Sequence, residues 1–209
     1  MAGATGLVGR EILDGLLADS DYAAVHTVAR RPLGISHPKL IEHVVDFAAL
    51  PALPAVGEVF IALGTTIKVA GSQAAFRAVD YDAVLAVARA GRASGAKALG
   101  VVSAMGSDPH SSLFYSRVKG EMEAAIGELG YVTLVIARPS FLSGDRAALQ
   151  QPLRGGEKLA MQITQALGPL IPANYRAIDV AKVARALRAK VKAGALARQV
   201  LLSGELQKA

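Results

Sequence analysis

The sequence predicts an α/β fold: a doubly wound parallel sheet with helices on both faces. Short apolar segments alternate with helical patterns along the chain, which is typical of a parallel sheet. Apolar residues make up 52% of the 209 residues and tryptophan is absent, so the core is mostly Ala, Val, Leu and Ile. A glycine-rich turn near the start of the chain leads directly into a helix. We therefore expect a single domain, residues 1–209, with a full core.

The glycine-rich turn is the strongest single motif. Gly3, Gly6 and Gly9 have the spacing G-x-x-G-x-x-G, and an apolar helical pattern begins at Leu7. Free N–H groups at a helix N-terminus bind phosphate, and glycine permits the tight turn and the close approach of a pyrophosphate. The motif alone is weak, and a glycine-rich turn without a ligand is the alternative. The candidate pyrophosphate-binding residues are Gly3, Thr5, Gly6, Leu7, Val8 and Gly9.

The segment before this turn departs from the motif, which normally follows a buried strand of about five or six residues. Only Met1 and Ala2 precede it here. That strand lies in the middle of a doubly wound sheet, so its truncation predicts a gap between its two neighbours. We interpret the departure as a start codon assigned too far downstream or a shortened chain. An apolar strand is expected upstream of Ala2 in the native chain.

The next strand, predicted over Ala23 to Ala29, ends in two arginines. In NAD-binding folds, an acidic residue about twenty positions after the glycines holds the ribose 2′-hydroxyl. Ala29 stands at that distance from Gly9, and Arg30 and Arg31 follow it. Guanidinium groups suit a 2′-phosphate, because arginine pairs with phosphate in a bidentate fork. The cofactor is therefore predicted to be NADP(H), with two solvated arginines at a strand end as the alternative.

Two further strands end at the same predicted edge, where ligands of α/β folds bind. Leu40 to Val45 is followed by Asp46, which either accepts a hydrogen bond from an adenine amino group or caps a turn. Glu58 to Leu63 is a buried strand followed by Gly64 and Thr65. Leu63, Gly64 and Thr65 are candidate cofactor contacts.

The remaining elements continue the alternation. A helix from Gly71 to about Ser94, with Ser72 as a plausible N-cap, precedes a strand over Ala98 to Val102. The later elements are a helix carrying Tyr115 and Lys119, a strand over Val132 to Ala137 broken by Arg138-Pro139, a helix from Asp179 to about Lys192, and an edge strand over Gln199 to Leu202. The stretch between is loop-rich, with a helix near Lys158 to Leu167, and predicts a small substrate-side region at about 140–178.

Ser103, Tyr115 and Lys119 form the candidate catalytic set. A tyrosine with a pKa of about 10 is a poor acid–base catalyst, but a cation one helical turn away favours its phenolate. Tyr115 and Lys119 are i and i+4, and Ser103 ends a strand twelve residues before Tyr115. A Y-x-x-x-K pattern alone is common, and a surface helix pair is the alternative. The order of glycine turn, basic strand end, serine and Y-x-x-x-K makes it specific.

This pattern resembles the short-chain dehydrogenase/reductase superfamily, with its Rossmann-like fold, over essentially the whole chain. Within it the chain is similar to the atypical branch related to the Tat-interacting oxidoreductase-like proteins. The matching stretches are GATGLVG (Gly3 to Gly9), VARRP (Val28 to Pro32), LGTTIKVAGS (Leu63 to Ser72), FRAVDYD (Phe76 to Asp82), VVSAMGSD (Val101 to Asp108), FYSRVKGEME (Phe114 to Glu123) and IARPSFLSGDR (Ile136 to Arg146).

The resemblance implies NADP(H) binding and a catalytic serine, tyrosine and lysine at Ser103, Tyr115 and Lys119. It also implies that Lys119 holds the nicotinamide ribose and that the turn containing Pro139 passes beside the nicotinamide. In one departure, Asp80 stands where the superfamily usually has an asparagine that supports the lysine. This carboxylate adds a negative charge near Lys119.

Composition and charge narrow the function classes. The net charge of +6 comes from scattered basic residues, so an anionic cofactor is expected rather than nucleic acid. The sequence contains no run of eighteen apolar residues, so no membrane span is predicted. The absence of cysteine excludes disulfides. No basic-plus-apolar leader is present, so a cytoplasmic location is expected. The spacing of His26, His37 and His43 predicts no metal site, and His110 is expected to be an exposed loop residue.

Two functions remain from different classes. The first is an NADP(H)-dependent oxidoreductase that acts on a small carbonyl or alcohol. The second is a non-catalytic NADP(H)-binding regulatory module that binds a protein partner. The complete Ser-Tyr-Lys set favours the enzyme, since a sensor needs only the glycine turn and the arginines.

Overall fold

The computed structural model describes residues 1–143, 172–194 and 198–209. The strands are β1 (Val25–Ala29), β2 (Leu40–Val44), β3 (Glu58–Ile61), β4 (Ala98–Val102), β5 (Thr133–Arg138), β6 (Leu142–Ser143), β7 (Ile178–Asp179) and β8 (Arg198–Leu202). The helices are α1 (Leu7–Ala18), α2 (Ile67–Ala70), α3 (Gln73–Arg77), α4 (Val84–Ala93), α5 (Phe114–Gly127), α6 (Val180–Lys192) and α7 (Ser203–Leu206). Strands and helices alternate as predicted, and the parallel α/β fold class is confirmed.

The main sheet consists of two parallel ladders that meet at Ala2. One ladder is β2–β1 and the other is β3–β4–β5–β8. Ala2 bridges Val28 of β1 and Ile61 of β3, and its N–H donates to the Phe60 carbonyl at 2.9 Å. The Met1 carbonyl also accepts from the Val28 N–H at 2.9 Å, so among the described residues Met1 and Ala2 alone fill the central position of the sheet. This is the gap that the short N-terminal segment predicts.

A cavity of about 450 Å³ lies at this junction, on the side of the strands' amino ends. It is lined by the start of β1, the start of β3 and the side chains of His26 and His43. The α-amino group of Met1 faces the same region and donates to the His26 carbonyl. Burial lowers the pKa of this amino group to about 5, because the charged form is poorly solvated there. None of the candidate cofactor-binding or catalytic residues lines this cavity.

Two apolar layers cover the sheet. On one face, α1 and α6 contribute Ile12, Leu13, Val183 and Leu187, all fully buried. The second layer contains side chains of α4 and α5, including Val84, Val87, Met122 and Ile126. Each such side chain contributes about 1.5–3 kcal/mol relative to its exposed state. Packing of these two layers against the sheet fixes the positions of β3, β4 and β5, and the candidate site lies at the carboxyl ends of these strands.

The helix predicted from Gly71 to Ser94 is interrupted. The Ser72 hydroxyl accepts from the Ala75 N–H at 3.1 Å, so the predicted N-cap is confirmed. Between α3 and α4, however, residues Ala78–Ala83 form a π-helical turn. Such insertions of an extra residue recur at functional sites, because they turn one side chain out of the helical register. Here the fully buried residue in that turn is Asp80.

The substrate-side region predicted at about 140–178 falls largely outside the described residues, as does the helix expected near Lys158 to Leu167. Its two ends are described, and β6 and β7 pair in parallel there. The Asp179 carboxylate accepts from the Ala181 N–H at 2.7 Å and caps α6 as predicted. Within the described ranges, no helix combines the length and apolarity needed to cross a membrane.

Candidate cofactor and active site

The glycine-rich turn packs directly against the end of β3. Gly3 has a φ of +86°, and a Cβ atom there would lie 2.4 Å from the carbonyl carbon of Ala62. A Cβ at Gly9 would lie 1.9 Å from the Gly3 oxygen. Both positions therefore exclude any larger residue. At Gly3 the left-handed backbone conformation and the nearby carbonyl group are the reasons, and at Gly9 the reason is the lack of space. The turn is held close to β3, as a pyrophosphate-binding turn requires.

The start of α1 fits an anionic group. Gly6 is the N-cap residue, makes no side-chain cap bond, and has no acidic residue in the first turn after it. The first N–H groups of the helix, including those of Leu7 and Val8, thus lack a side-chain cap and carry the positive end of the helix dipole. The donors at this turn have the chemistry that a pyrophosphate needs.

Arg30 and Arg31 lie where the sequence places them, directly after β1. Both side chains are exposed, and no described carboxylate forms an ion pair with either. Asp46 follows β2 and caps a short 3₁₀ helix, since its carboxylate accepts from the Ala48 N–H at 2.9 Å. The turn-capping alternative for Asp46 is thus the one that its contacts support.

Lys119 is buried beneath the end of β3. Its Nζ lies 2.8 Å from Oδ1 of Asp80, and the two side chains are 4% and 0% exposed. The other Asp80 oxygen accepts from the Thr65 N–H at 2.9 Å. A Cβ on Gly64 would lie 3.7 Å from Lys119 Nζ, so the loop after β3 runs next to the ammonium group. The structure therefore brings Gly64, Thr65 and Lys119 together, with Asp80 as the counter-ion.

Tyr115 lies one turn before Lys119 on α5 and is 37% exposed. Its ring packs against Phe76, with the ring centroids 5.3 Å apart. The Phe114 ring also packs against Phe76, with the ring centroids 5.9 Å apart. The phenol is thus oriented by a buried aromatic ring while part of it stays accessible, as a proton donor to a small molecule must be.

Ser103 ends β4 as predicted, but its hydroxyl is occupied. It donates to Oε1 of Glu123 at 2.6 Å and lies 3.0 Å from the Ser107 hydroxyl. Glu123 is 1% exposed and accepts from Arg138 through Nε at 3.0 Å and Nη2 at 2.6 Å. Arg198 Nη2 approaches the same carboxylate at 3.7 Å. Ser103 therefore belongs to a buried polar cluster of serine, glutamate and arginine.

The loop after β4 is pressed against α5 at Gly120. A Cβ on Gly120 would lie 2.2 Å from the Asp108 carbonyl carbon and the Pro109 nitrogen, so only glycine fits there. The same loop is tied to the end of β5, because the Met105 N–H donates to the Pro139 carbonyl at 3.0 Å. Pro139 is buried beside this loop, and His110 is exposed on it. These contacts fix the region between Ser103 and Tyr115.

The sequence reasoning missed Glu123, although a usable signal was present. Tyr115, Lys119 and Glu123 stand at i, i+4 and i+8, so they share one face of α5. Burial increases along this face, from 37% exposed at Tyr115 to 3% at Lys119 and 1% at Glu123. A charged residue that continues a functional helix face into the core requires a buried partner. Arg138 supplies that partner.

The described residues contain no group of three or more side chains arranged to hold a metal ion. His26 and His43 do meet, with Nδ1 and Nε2 3.0 Å apart, at the cavity beside Met1. His26 lies near the amino end of β1 and His43 near the carboxyl end of β2, and both side chains line that cavity.

The architecture defines the class of protein: a doubly wound α/β protein with an NAD(P)-binding oxidoreductase-like fold. No family model matches the chain. A curated relative, Protein HTATIP2 of Rattus norvegicus, is 35% identical over 192 residues, which are 88% of this chain and 77% of that protein. Protein FMP52 of Coccidioides immitis is 38% identical over 162 residues, 70% of this chain and 66% of that protein. The chain belongs to the atypical short-chain dehydrogenase/reductase family.

Solved structures of low identity share the fold. MoeE5, in complex with UDP-glucose and NAD, is 16% identical with a TM-score of 0.70, over 96% of this chain and 73% of that chain. A short-chain dehydrogenase/reductase superfamily protein from Agrobacterium tumefaciens, with bound NAD, is 16% identical with a TM-score of 0.67. The match covers 96% of this chain and 76% of that protein. The Rossmann-like architecture is thereby confirmed.

The expected cytoplasmic location is wrong by this comparison. The FMP52 relatives of Coccidioides immitis, Emericella nidulans and Aspergillus niger are all named mitochondrial proteins. The expectation relied on the lack of a leader in the printed sequence, and such an absence carries no information about the compartment.

Proposed function

We propose that the protein is an NADP(H)-dependent oxidoreductase that interconverts a small carbonyl compound and its alcohol. The observation that carries the proposal is the buried Lys119–Asp80 pair one helical turn from the half-exposed Tyr115. Burying a lysine is costly, and the cost is offset here by the Asp80 carboxylate. The ammonium group lies next to the loop after β3. A cation held at such a point would serve the phenol and a bound ribose together.

The residues would hold the cofactor in three places. The turn Gly3–Gly9 and the start of α1 would bind the pyrophosphate, and Arg30 and Arg31 would bind the 2′-phosphate. Lys119 would hold the nicotinamide ribose, with Gly64 and Thr65 alongside it and Pro139 near the nicotinamide. When bound, the nicotinamide supplies or accepts the hydride.

Tyr115 would move the proton. In the reducing direction a C–H bond forms, the carbonyl π bond breaks, and the phenol gives its proton to the substrate oxygen. Phe76 holds the ring in place, and the Lys119 ammonium stabilises the phenolate that remains. Ser103 would contact the substrate next to this oxygen.

A second candidate is a regulatory module that binds NADP(H) and a protein partner without turnover. One contact favours it: the Ser103 hydroxyl already donates to Glu123. This contact does not prevent cofactor binding, but it removes one hydrogen-bond donor from the groups available for catalysis.

Turnover separates the two candidates. NADPH consumption would be followed with a panel of small aldehydes and ketones, in the wild-type protein and in Tyr115→Phe. The enzyme proposal requires turnover in the wild type and a loss of roughly 10²–10⁴ in the variant, with NADPH binding retained. Tight NADPH binding with no turnover on any carbonyl would favour the regulatory module.

A further inference from the structure

Asp80 is a buried carboxylate that contacts two parts of the candidate site. Its Oδ1 lies 2.8 Å from Lys119 Nζ, and its Oδ2 accepts from the Thr65 N–H at 2.9 Å. The side chain is 0% exposed and belongs to the π-helical turn Ala78–Ala83. A carboxylate is buried to this extent only when it is paired and hydrogen-bonded. The two side chains carry opposite charges, so together they bring no net charge to this corner of the protein.

Both charges border the loop after β3. A Cβ on Gly64 would lie 3.4 Å from Asp80 Oδ1 and 3.7 Å from Lys119 Nζ. Lys119 is proposed to hold the nicotinamide ribose, so the ring attached to that ribose would lie within range of both charges. Coulomb energy falls only with the inverse of distance and is larger away from water. Asp80 therefore acts on a group bound at this loop without touching it.

The two redox forms of the cofactor differ in charge at the nicotinamide ring. The reduced ring is neutral and the oxidised ring is a cation, because hydride donation takes two electrons and one proton from it. An ammonium group without a counter-charge beside this ring would repel the oxidised form. It would also oppose hydride donation, during which the positive charge develops. A carboxylate paired with the ammonium group cancels this repulsion.

We infer that Asp80 sets the balance between the oxidised and reduced forms of the bound cofactor, because it cancels the charge of Lys119 beside the nicotinamide. The inference rests on the proposed cofactor site and concerns binding, not turnover. Asp80 is thus a specificity-determining residue that acts through Lys119 and through its charge. Its buried position, behind the lysine and the loop, is consistent with a residue that does not contact the cofactor itself.

Four proteins separate this charge effect from a structural one: the wild type, Asp80→Asn, Lys119→Met and the double variant. The pair is neutral in the wild type and in the double variant, positive in Asp80→Asn and negative in Lys119→Met. The Kd values of NADP⁺ and NADPH would be measured by calorimetry. The lost contact of Lys119 with the ribose weakens both forms equally, so it cancels in the ratio of the two Kd values.

We expect the ratio of the NADP⁺ Kd to the NADPH Kd to rise about tenfold in Asp80→Asn and to fall in Lys119→Met. In the double variant it should return close to the wild-type value, because the two charges are removed together. The control is Asp19→Asn, which removes the carboxylate of the surface pair with Lys192 and should leave the ratio unchanged.

If Asp80→Asn does not fold, Lys119→Met and the double variant still test the inference. Neither has the ammonium group, and they differ only in the carboxylate, so the ratio should be about tenfold higher in the double variant. Equal ratios in these proteins, or shifts in the same direction in both single variants, would overturn the inference and leave the cofactor site in place. A wild-type protein that binds neither NADP⁺ nor NADPH would overturn the proposed function as well.

Discussion

The ammonium group of Lys119 lies 2.8 Å from the carboxylate of Asp80, and the two side chains are 4% and 0% exposed. One partner comes from a regular helix and the other from a π-helical turn on a different segment of the chain. The pair therefore links α5 to the π-helical turn between α3 and α4. Its loss affects both the stability of this corner and the position of the lysine.

Asp80→Asn should destabilise the protein, because it leaves a buried ammonium group without its counter-charge. We expect a loss of about 3 kcal/mol in the free energy of unfolding, measured by chemical denaturation. The matched control is Asp19→Asn, which removes a carboxylate from the surface pair with Lys192 and should leave stability nearly unchanged. Equal effects of the two variants would contradict the importance of the buried pair.

Replacing Arg30 and Arg31 with alanine should lower affinity for NADPH but not for NADH. Each guanidinium would lose a charge-assisted bond to the 2′-phosphate, worth roughly 1.5–3 kcal/mol. At least a tenfold rise in the NADPH Kd is expected from fluorescence titration. Arg89→Ala on the exposed face of α4 is the control and should change neither Kd. A loss of the same size for both cofactors would rule out the phosphate contact.

Gly9→Ala should disrupt the glycine turn, while Gly6→Ala should be tolerated. A Cβ at Gly9 would lie 1.9 Å from a backbone oxygen, whereas one at Gly6 would have its nearest contact at 3.4 Å. The first variant is expected to lose about 1–3 kcal/mol of stability and most NADPH binding, and the second less than about 1 kcal/mol. Thermal unfolding and NADPH titration would measure both, and the order of the two effects is the decisive result.

Stability should decrease on acidification because of His26. Burial lowers the pKa of His26 below its ordinary value of 6.5, and the nearby His43 lowers it further. The unfolded chain therefore binds a proton at a higher pH than the folded protein does. The free energy of unfolding is expected to fall as pH drops below about 6.5.

An NMR titration of the His26 ring would measure this pKa directly. Unfolding experiments at several pH values would test the linkage, and His26→Gln should flatten the dependence in this range. A His26 pKa at or above 6.5 would contradict the prediction.

Much of the fold could be predicted from local patterns. The strand over Ala98–Val102 and the cap residues Ser72 and Asp179 were placed correctly, because apolar runs and helix caps depend on nearby residues. The π-helical turn at Ala78–Ala83 was not predicted, since its inserted residue is stabilised by the distant Lys119. Its sequence looks like an ordinary helix.

The candidate site was predictable in its residues and not in its hydrogen bonds. Spacing on α5 puts Tyr115 and Lys119 on one face, but it cannot show that Ser103 donates to Glu123. That contact depends on how β4 pairs with β5, because the pairing sets the position of Ser103 relative to Arg138. Strand pairing is a property of the whole sheet. Asp46 shows the same limit, because its two roles looked equal until its backbone partner was known.

The division of the described sheet into two ladders has a consequence for ligand binding. Arg30 and Arg31 follow β1 in one ladder, whereas Lys119 lies next to the loop after β3 of the other. A dinucleotide bound by these residues would therefore contact both ladders at once and link them. Slower amide hydrogen exchange in β1 and β2 when the cofactor binds would be the direct sign of this link.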